Sequence, residues 1–355
     1  MPTPKNISSV YCGTAIWKVL NDYLSTADHS SIFVLTDSNT RHHCLPKLLS
    51  EVTVGTKPIV LEIPAGEHHK NITSCLKLWN ELSEMNADRS SLLINLGGGV
   101  VTDLGGFVAS TFKRGIDFIN IPTSLLAMVD ASVGGKTGVD LGNLKNQVGV
   151  INDPALVLLD LEFLHTLPEA HRRSGQAEMI KHGIIASEVY FDSVLEFDIR
   201  NEDAEELIWE SILIKNQVVT EDPLEKGLRK VLNYGHTLGH AIESHALRMN
   251  QEDPLLHGEA IAIGMILASY ISSELLDLPE SSLQKISSGI LSVFEKRSFS
   301  DSEIKEIVDL LIYDKKNQAG KIYFVLLHDF AKHKINCEVP DSLIKEAFSY
   351  YEKHP

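Results

Sequence analysis

The stretch Ser91-Leu92-Leu93-Ile94-Asn95-Leu96-Gly97-Gly98-Gly99 decides the fold class of this chain. Its continuous apolar run is typical of a strand that is buried on both faces, and the glycines that follow suit a tight turn into a helix. Upstream, residues 31–37 and 58–63 have the pattern of two further strands, and residues 71–85 carry apolar side chains at helical spacing. Strands that alternate with helices predict a parallel sheet in an α/β domain.

The pattern changes in the second half of the chain, from about Leu164 onward. Long amphipathic stretches follow at residues 169–185, 204–220, 258–275 and 302–312. This half is therefore predicted to be mostly helical, with the acidic run at 201–206 as the solvated first turn of a helix. A chain of 355 residues is too long for one typical core. Proline in Leu167-Pro168 favours a boundary there, which predicts domains at 1–167 and 168–355.

Composition excludes several classes of function. The net charge of −16 argues against general binding to nucleic acid or to anionic membranes, although a local basic pocket is compatible with it. No uninterrupted apolar run reaches the roughly 18 residues that would suggest a membrane span, and the N-terminus lacks an apolar signal segment. Cys12, Cys44, Cys75 and Cys337 are far apart, so we expect buried thiols rather than a cysteine metal site or a disulfide framework. A cytoplasmic enzyme fits these features.

The glycines after residue 96 form the first candidate binding site. Glycine lets a phosphate approach backbone N–H groups at the start of a helix, but the run 97–106 does not match G-x-G-x-x-G because the next glycines come too late. A dinucleotide site and a plain tight turn both fit this pattern. Asp37 and Asn39 end an earlier strand, where they could hold a ribose hydroxyl or simply cap a turn.

A second glycine-rich segment, at residues 130–137, ends in Gly135-Lys136-Thr137. A nucleoside triphosphate-binding loop requires glycine where Asp130 stands, so that interpretation fails. A lysine flanked by glycine is still a plausible anion ligand, and Lys113-Arg114 and Lys145-Asn146 lie nearby in the sequence. In an acidic chain, these cations predict a small phosphorylated or carboxylated substrate.

Histidine and carboxylate residues mark a candidate metal site. His236 and His240 are four residues apart and would share one helical face, which nominates them as joint ligands. Glu178 and His257 lie on other predicted helices and could converge on the same point. One carboxylate and two imidazoles would make an open zinc site. The peptidase pattern H-E-x-x-H is absent because Thr237 stands where its glutamate is required.

These motifs together resemble the 3-dehydroquinate synthase family of sugar phosphate cyclases, and the resemblance covers nearly the whole chain. The segments that carry it are Asp37-Ser38-Asn39, 97–103, 122–130, 134–137, Lys145-Asn146, 178–181, 229–240 and Asp314-Lys315-Lys316. The departures are small, at Thr102 in the glycine turn and at residues 142–144. The resemblance implies an N-terminal Rossmann-like α/β domain that binds NAD+, a mostly α-helical C-terminal domain that binds a divalent metal, Zn²⁺ or Co²⁺, and a homodimer.

The resemblance also implies roles for individual residues. The implied metal ligands are Glu178, His236 and His257, so that His240 would instead face the substrate. The implied NAD-binding positions are Asp37, Asn39, Glu67, Lys70, Gly98, Gly99, Val100, Asp103, Thr123, Ser124, Lys145, Phe163 and Thr166. The implied substrate-binding and catalytic positions are Asp130, Lys136, Lys145, Asn146, Lys181, Lys215, Arg229, Asn233, His240, one of Lys315 and Lys316, and Arg114 from the partner subunit.

The implied reaction converts 3-deoxy-D-arabino-heptulosonate 7-phosphate to 3-dehydroquinate and phosphate, in the shikimate pathway of aromatic amino acid biosynthesis. The hydride taken from C5 is returned later, so NAD+ is used catalytically. Three alternatives stay open: a cyclase acting on another sugar phosphate, a metal-dependent polyol dehydrogenase of the same build, and a metal or nucleotide binder without activity. Net formation of NADH would mark the dehydrogenase.

Overall fold

The computed structural model describes residues 4–53, 57–142, 144–249, 255–311 and 322–354. The chain forms two compact units, which divide after Pro168. Asp314, Lys315 and Lys316, which the sequence comparison connects with the substrate, lie outside the described residues.

The first unit is an α/β domain built on one large sheet. Its elements in chain order are β1 (Lys5–Ile7), β2 (Val10–Cys12), α1 (Ile16–Thr26), β3 (Ile32–Asp37), α2 (Ser38–His43), α3 (Leu45–Glu51), β4 (Ile59–Ile63), α4 (Ile72–Glu84), β5 (Leu92–Gly97), α5 (Gly99–Thr111), β6 (Asp117–Pro122), β7 (Lys136–Leu141), β8 (Leu144–Ile151) and β9 (Leu156–Leu159). The sheet has seven strands in the order β1-β2-β9-β6-β5-β3-β4. All neighbouring strands are parallel except the β1–β2 pair, which confirms the predicted α/β class.

Strand β5 is an interior strand of this sheet, between β6 and β3, and its six residues are all buried. Side chains of β3 and β4 join a core that α4 and α5 cover, and this core includes Phe33, Leu61, Leu78, Leu104 and Phe107. Burial on both faces explains why the sequence of β5 lacks the alternation of a half-exposed strand. The core therefore holds β5 rigidly beneath the glycine turn that follows it.

The parallel arrangement brings several predicted residues to one edge of the sheet. Asp37 ends β3, and Gly97 at the end of β5 lies opposite Pro122 at the end of β6. The backbone N–H of Thr123 donates to the carbonyl of Gly97 over 3.0 Å. The carboxyl edge of such a sheet, where strand order changes direction, is the usual ligand-binding edge of α/β domains.

The hairpin of β7 and β8 was not predicted, because its glycines and lysines were interpreted only as a possible anion site. Lys136 pairs with Ile151 at one end of the hairpin, and Leu141 pairs with Leu144 at the other. Lys136 and Lys145 therefore lie near opposite ends of the hairpin, about 14 Å apart along a strand at roughly 3.4 Å per residue.

The second unit is mostly helical, as predicted, with one additional hairpin. Its elements are α6 (Glu169–Ala186), α7 (Glu188–Leu195), α8 (Ala204–Glu221), α9 (His236–Met249), α10 (His257–Leu276), α11 (Glu280–Val293), α12 (Asp301–Leu310), β10 (Tyr323–Asp329), β11 (Lys332–Glu338) and α13 (Asp341–Lys353). The acidic run does open a helix, since Glu205 and Glu206 lie in the first turn of α8. The sequence pattern did not predict the hairpin β10–β11.

Helix α10 is the central element of the second unit and contacts α6, α9, α11, α13 and β10. By length and composition it could cross a membrane, but 67% of its most apolar 18-residue window is buried inside the protein. That burial is the pattern of a core helix. The four cysteines, all within the described part of the chain, are buried and form no disulfide, as expected.

Two glycines let the helices of this unit approach one another closely. The backbone N–H of Gly258 donates to the Ser174 hydroxyl of α6 over 2.9 Å, and a Cβ on Gly258 would lie 2.1 Å from the Ser174 carbonyl oxygen. Gly235 has a φ of +76°, and a Cβ there would lie 2.5 Å from Cγ of Met265 in α10. These contacts set the start of α10 against α6 and the start of α9 against α10.

Replacing Gly235 with alanine is expected to destabilise the protein by about 2–5 kcal/mol, from left-handed backbone strain plus overpacking against Met265. Gly142→Ala is the control, because Gly142 also has a positive φ of +58° but nothing within 4 Å of a Cβ. The control should cost only about 1–2 kcal/mol. Urea unfolding monitored by circular dichroism measures both, and equal losses would contradict the close approach of α9 to α10.

Candidate functional site

Three helices of the second unit bring one carboxylate and two imidazoles together. Glu178 lies in α6 and is fully buried, His236 is the first residue of α9, and His257 is the first residue of α10. Oε1 of Glu178 lies 3.4 Å from Nε2 of His236 and 3.6 Å from Nε2 of His257. The sequence reading expected this convergence from three helices.

Each of these three groups is oriented by a neighbour. Nδ1 of His236 donates to the Tyr234 carbonyl oxygen over 3.1 Å, and Nδ1 of His257 lies 3.1 Å from Oε2 of Glu243. Both contacts leave Nε2 turned toward Glu178. The ammonium of Lys181 donates to the other oxygen, Oε2, of Glu178. Oε1 of Glu178 and Nε2 of each of the two histidines therefore point at one place.

The electrostatics around His257 are dominated by carboxylates. Burial opposes a charge on the ring, but Glu243 and Glu178 together raise the pKa of His257 to about 10. A group of anionic oxygens that stabilises a proton there would also stabilise a bound cation.

The spacing of the donor atoms fits a metal ion. Ligands at about 2.1 Å in a tetrahedral arrangement lie roughly 3.4 Å from one another. The two measured separations from Glu178, 3.4 and 3.6 Å, match that value. One carboxylate and two imidazoles would leave a coordination position open, as in catalytic zinc sites.

His240 lies at the same place, one turn along α9 from His236. Its ring centroid is 5.2 Å from that of His236 and 5.7 Å from that of His257, and the ligand atoms of the three histidines lie within 4.8 Å of one another. The pair nominated by helical spacing and the set implied by the family resemblance are thus both close enough to share an ion.

Three predicted cations in this unit are buried, namely Lys181, Lys215 and Arg229. Arg229 lies in a helical turn at Leu228–Asn233, where its Nη1 donates to the Pro223 carbonyl over 2.7 Å. Its backbone N–H donates to Asp222, 3.0 Å away. Burying a cation costs free energy unless an anionic group lies beside it, either from the protein or from a bound ligand.

In the first unit, the sheet edge carries the predicted cofactor positions. The Asp37 carboxylate caps α2 by accepting from the N–H groups of Asn39 and Thr40, over 2.9 and 2.8 Å. The turn-cap alternative for Asp37 is therefore realised. Gly98 is the residue before α5, and a Cβ on it would lie 3.2 Å from Oγ of Ser124. Only a glycine backbone leaves space there for a phosphate at the helix start.

A network of polar contacts around the buried Lys70 and the half-buried Lys145 joins five further predicted residues. Nζ of Lys70 donates to Asp103 over 2.5 Å and to the side-chain oxygen of Asn146 over 2.7 Å. Nζ of Lys145 donates to Glu67 over 2.7 Å. Burial opposes the charge on Lys70, but Asp103, Glu67 and other carboxylates raise the pKa of Lys70. Burial likewise raises the pKa of Asp103, while Lys70 lowers it.

The other predicted positions of this unit are more scattered. Val100 lies in the first turn of α5, and the Thr166 hydroxyl donates to the carbonyl of buried Phe163 over 3.2 Å. Asp130 lies in a π-helical turn at Ala127–Ala131. Arg114 is exposed and has a φ of +74°, in the left-handed region where arginine is rarely found. Lys136 is exposed at the far end of the hairpin from Lys145.

Two carboxylates near the candidate metal ligands of the second unit were not predicted from the sequence. Glu243 contacts His257, as described above, and Glu225 accepts from the Asn233 amide over 2.8 Å. Glu243 follows His236 by seven residues, about two helical turns, so helical periodicity carried a signal for it. Glu225 has a φ of +56° in an irregular loop, and no sequence pattern pointed to it.

Comparisons with known proteins agree over most of the chain. Residues 60–174 match the family model for the 3-dehydroquinate synthase N-terminal domain, and residues 175–317 match the model for the C-terminal domain. A 3-dehydroquinate synthase from Parabacteroides distasonis is 41% identical over 337 residues, which cover 94% of this chain and 95% of the relative.

Solved structures of sugar phosphate cyclases share the fold. A 2-deoxy-scyllo-inosose synthase, crystallised with carbaglucose-6-phosphate, NAD⁺ and Co²⁺, is 25% identical with a TM-score of 0.82, over 95% of this chain and 94% of that one. A 2-epi-5-epi-valiolone synthase from Streptomyces hygroscopicus, with NAD⁺ and Zn²⁺ bound, is 22% identical with a TM-score of 0.85, over 100% and 99% of the two chains. On the strength of both family models and the 41% identical relative, the chain belongs to the 3-dehydroquinate synthase family.

Proposed function

We propose that this chain converts 3-deoxy-D-arabino-heptulosonate 7-phosphate to 3-dehydroquinate and inorganic phosphate, with the help of NAD⁺ and a divalent metal. Membership of the family sets the reaction class. The observation that carries the proposal is the convergence of Glu178, His236 and His257 from three helices, with Nε2 of each ring turned toward one carboxylate oxygen.

In this proposal Glu178, His236 and His257 hold the metal, and NAD⁺ binds at the carboxyl edge of the first unit's sheet. When bound, the cation would act as a Lewis acid at the C5 oxygen of the substrate, and NAD⁺ would accept and return a hydride at C5. Gly98, Gly99 and Val100 at the start of α5 receive the pyrophosphate. Asp37 and Asn39 bind a ribose, for which Asp37 keeps its second oxygen, Oδ2, beside the one that caps α2.

The Lys70 network also belongs to the cofactor site in this proposal. Lys70 donates a hydrogen bond to Asp103, which fixes both side chains. Lys145 of the hairpin β7–β8 and Glu67 fix each other in the same way. Because these groups are already paired, they can present fixed donors and acceptors to the cofactor with little further ordering. Thr123, Ser124, Phe163 and Thr166 complete the cofactor positions.

The substrate carries a phosphate and a carboxylate, so an acidic protein must provide cations for it. We assign the carboxylate to Lys215 and Arg229, which are buried in the second unit. Lys136, Asn146 and Arg114 grip the phosphate. Lys181 and Asp130 complete the set of substrate-binding residues. The hydrogen bond from the Asn233 amide to Glu225 orients Asn233 to bind a substrate hydroxyl.

His240 is assigned to proton transfer with the substrate. It lies beside the proposed metal ligands but on the next turn of α9, and its ring is only half-buried. A ring nitrogen in that position can take a proton from a substrate hydroxyl and return it later. Holding the flexible intermediate in one orientation also lowers the barrier to ring closure, by several kcal/mol in well-oriented systems.

Removal and return of the cofactors tests the proposal. Protein stripped of metal and nucleotide should release no phosphate from the substrate, and activity should return only when NAD⁺ and Zn²⁺ or Co²⁺ are both restored. Phosphate release and formation of 3-dehydroquinate are followed together. Full activity in the metal-free protein would refute the proposed mechanism.

We also propose that the enzyme is a cytoplasmic homodimer in which Arg114 serves the site of the partner subunit. Arg114 is exposed and held in a left-handed conformation beside Lys113, which has a φ of 48°. Backbone strain of this kind is usually maintained where a side chain has a functional position to keep.

Coexpression of two inactive variants tests the shared site. Arg114→Ala and His240→Ala should each be inactive alone, whereas their mixed dimers should contain one intact site. Random pairing makes about half of the dimers mixed, so about a quarter of the wild-type activity should return. Recovery of no activity, with dimers present in sedimentation, would show that Arg114 acts within its own subunit.

A further inference from the structure

The partners of the three proposed ligands differ in kind. His236 donates to a backbone carbonyl, which is neutral, whereas His257 contacts the carboxylate of Glu243. The Glu243 side chain is only 6% exposed, compared with 24% for the His257 side chain. A buried carboxylate is costly unless it is paired, so its position on the inner face of α9 needs a reason.

The geometry of Glu243 provides that reason. Its Oε2 lies 3.1 Å from Nδ1 of His257, while Nε2 of the same ring faces Oε1 of Glu178 at 3.6 Å. The carboxylate accepts a hydrogen bond from Nδ1–H and so selects the tautomer whose Nε2 carries a lone pair. Because Glu243 comes from α9 and His257 from α10, the contact also fixes the ring relative to His236.

We propose that Glu243 is a positioning residue of the metal centre, which sets the tautomer and orientation of His257 and adds a negative charge beside the cation. The inference rests on the proposed metal-dependent function and deepens it. With Glu178, the second carboxylate balances the two positive charges of a divalent ion. A carboxylate behind a ligating imidazole makes the ring a stronger ligand.

The test is metal affinity in the Glu243→Gln variant of the full chain. Glutamine keeps the size of the side chain but removes the charge, and its amide can turn to stabilise the wrong tautomer of His257. Co²⁺ affinity, measured by competition with a chelator, should fall about 10- to 100-fold, and the visible absorption spectrum of bound Co²⁺ should change. Glu243→Asp, which keeps the charge on a shorter side chain, should recover part of the affinity.

Glu306→Gln is the matched control. Oε2 of Glu306 lies 3.2 Å from Nε2 of His245, so this residue forms a second pair between a carboxylate and a histidine of α9, away from the proposed ligands. Its Co²⁺ affinity and spectrum should equal those of the wild type. A similar loss in both variants would mean that α9 is merely destabilised, and would overturn the inference.

The outcomes separate the inference from the proposed function. If Glu243→Gln binds Co²⁺ with the affinity and the spectrum of the wild-type protein, the proposed role of Glu243 is wrong. The proposed function is unaffected by that result as long as the wild-type protein binds metal and is active. A wild type that binds no Co²⁺ would overturn both. If the glutamine variant does not fold, Glu243→Asp decides, because unchanged affinity and spectrum with the shorter side chain would equally overturn the role.

Discussion

Replacing His236 with alanine is expected to abolish metal binding and activity together. His236 supplies one of the three donors that surround a single point, and Tyr234 holds its ring in position. Loss of a direct ligand should weaken Co²⁺ binding by more than the roughly 10- to 100-fold that an orienting neighbour contributes. Metal content after dialysis, together with phosphate release, measures the effect.

His240→Ala is the informative comparison, because helical spacing alone makes His240 as good a ligand as His236. We expect this variant to retain its metal and to lose turnover by about 10²- to 10⁴-fold, the range for removal of a positioned proton-transfer group. Equal loss of metal from both variants would show that the i, i+4 pair binds the ion and that the proposed division of roles is wrong.

The second large effect is expected at Arg229, for which we predict that Arg229→Met lowers kcat/KM by about 10²- to 10³-fold. The side chain is buried, and its guanidinium can form two parallel hydrogen bonds to a carboxylate. Truncating one partner of a buried charge pair costs about 2–5 kcal/mol. Arg229→Lys keeps the charge but loses the planar fork, so it should recover only part of the loss.

Two measurements show whether the Arg229 effect is specific. Metal content and NAD⁺ affinity should be unchanged in the variant, and Arg173→Met should behave as the wild type because Arg173 is 41% exposed in a loose contact with Glu169. Near-normal kcat/KM in Arg229→Met would remove this residue from the substrate site. Loss of metal in parallel with activity would show a structural role instead.

The fold was largely predictable because its signals are local. A continuous apolar strand followed by glycines, as at residues 92–99, already specifies a parallel sheet with a helix at its carboxyl edge. The hairpin β7–β8 was not predicted although its pairing is local, because lysines and glycines are not typical of strands. The packing of β10 against α10, by contrast, joins segments that are distant in sequence.

The site was predictable only in part, because several of its contacts join residues that are distant in sequence. The pairing of Lys145 with Glu67 joins residues that are 78 positions apart, so neither could be recognised from the other. Glu243 has the residue type of a solvated helix face, and apart from its helical spacing from His236 only its burial against His257 distinguishes it. Spacing nominated His236 with His240, and Glu178 and His257 were expected to converge on them from other helices. The choice of Glu178, His236 and His257 as the ligand set came from the family resemblance. The choice between Lys315 and Lys316 lies outside the described residues.

The most direct test of the central claim is a reaction in which NAD⁺ is present at a small fraction of the substrate concentration. We expect complete conversion of 3-deoxy-D-arabino-heptulosonate 7-phosphate, one phosphate released for each 3-dehydroquinate formed, and no net accumulation of NADH. If product formation stops when the NAD⁺ is consumed and NADH accumulates without phosphate release, the enzyme is a dehydrogenase and the proposed function is wrong.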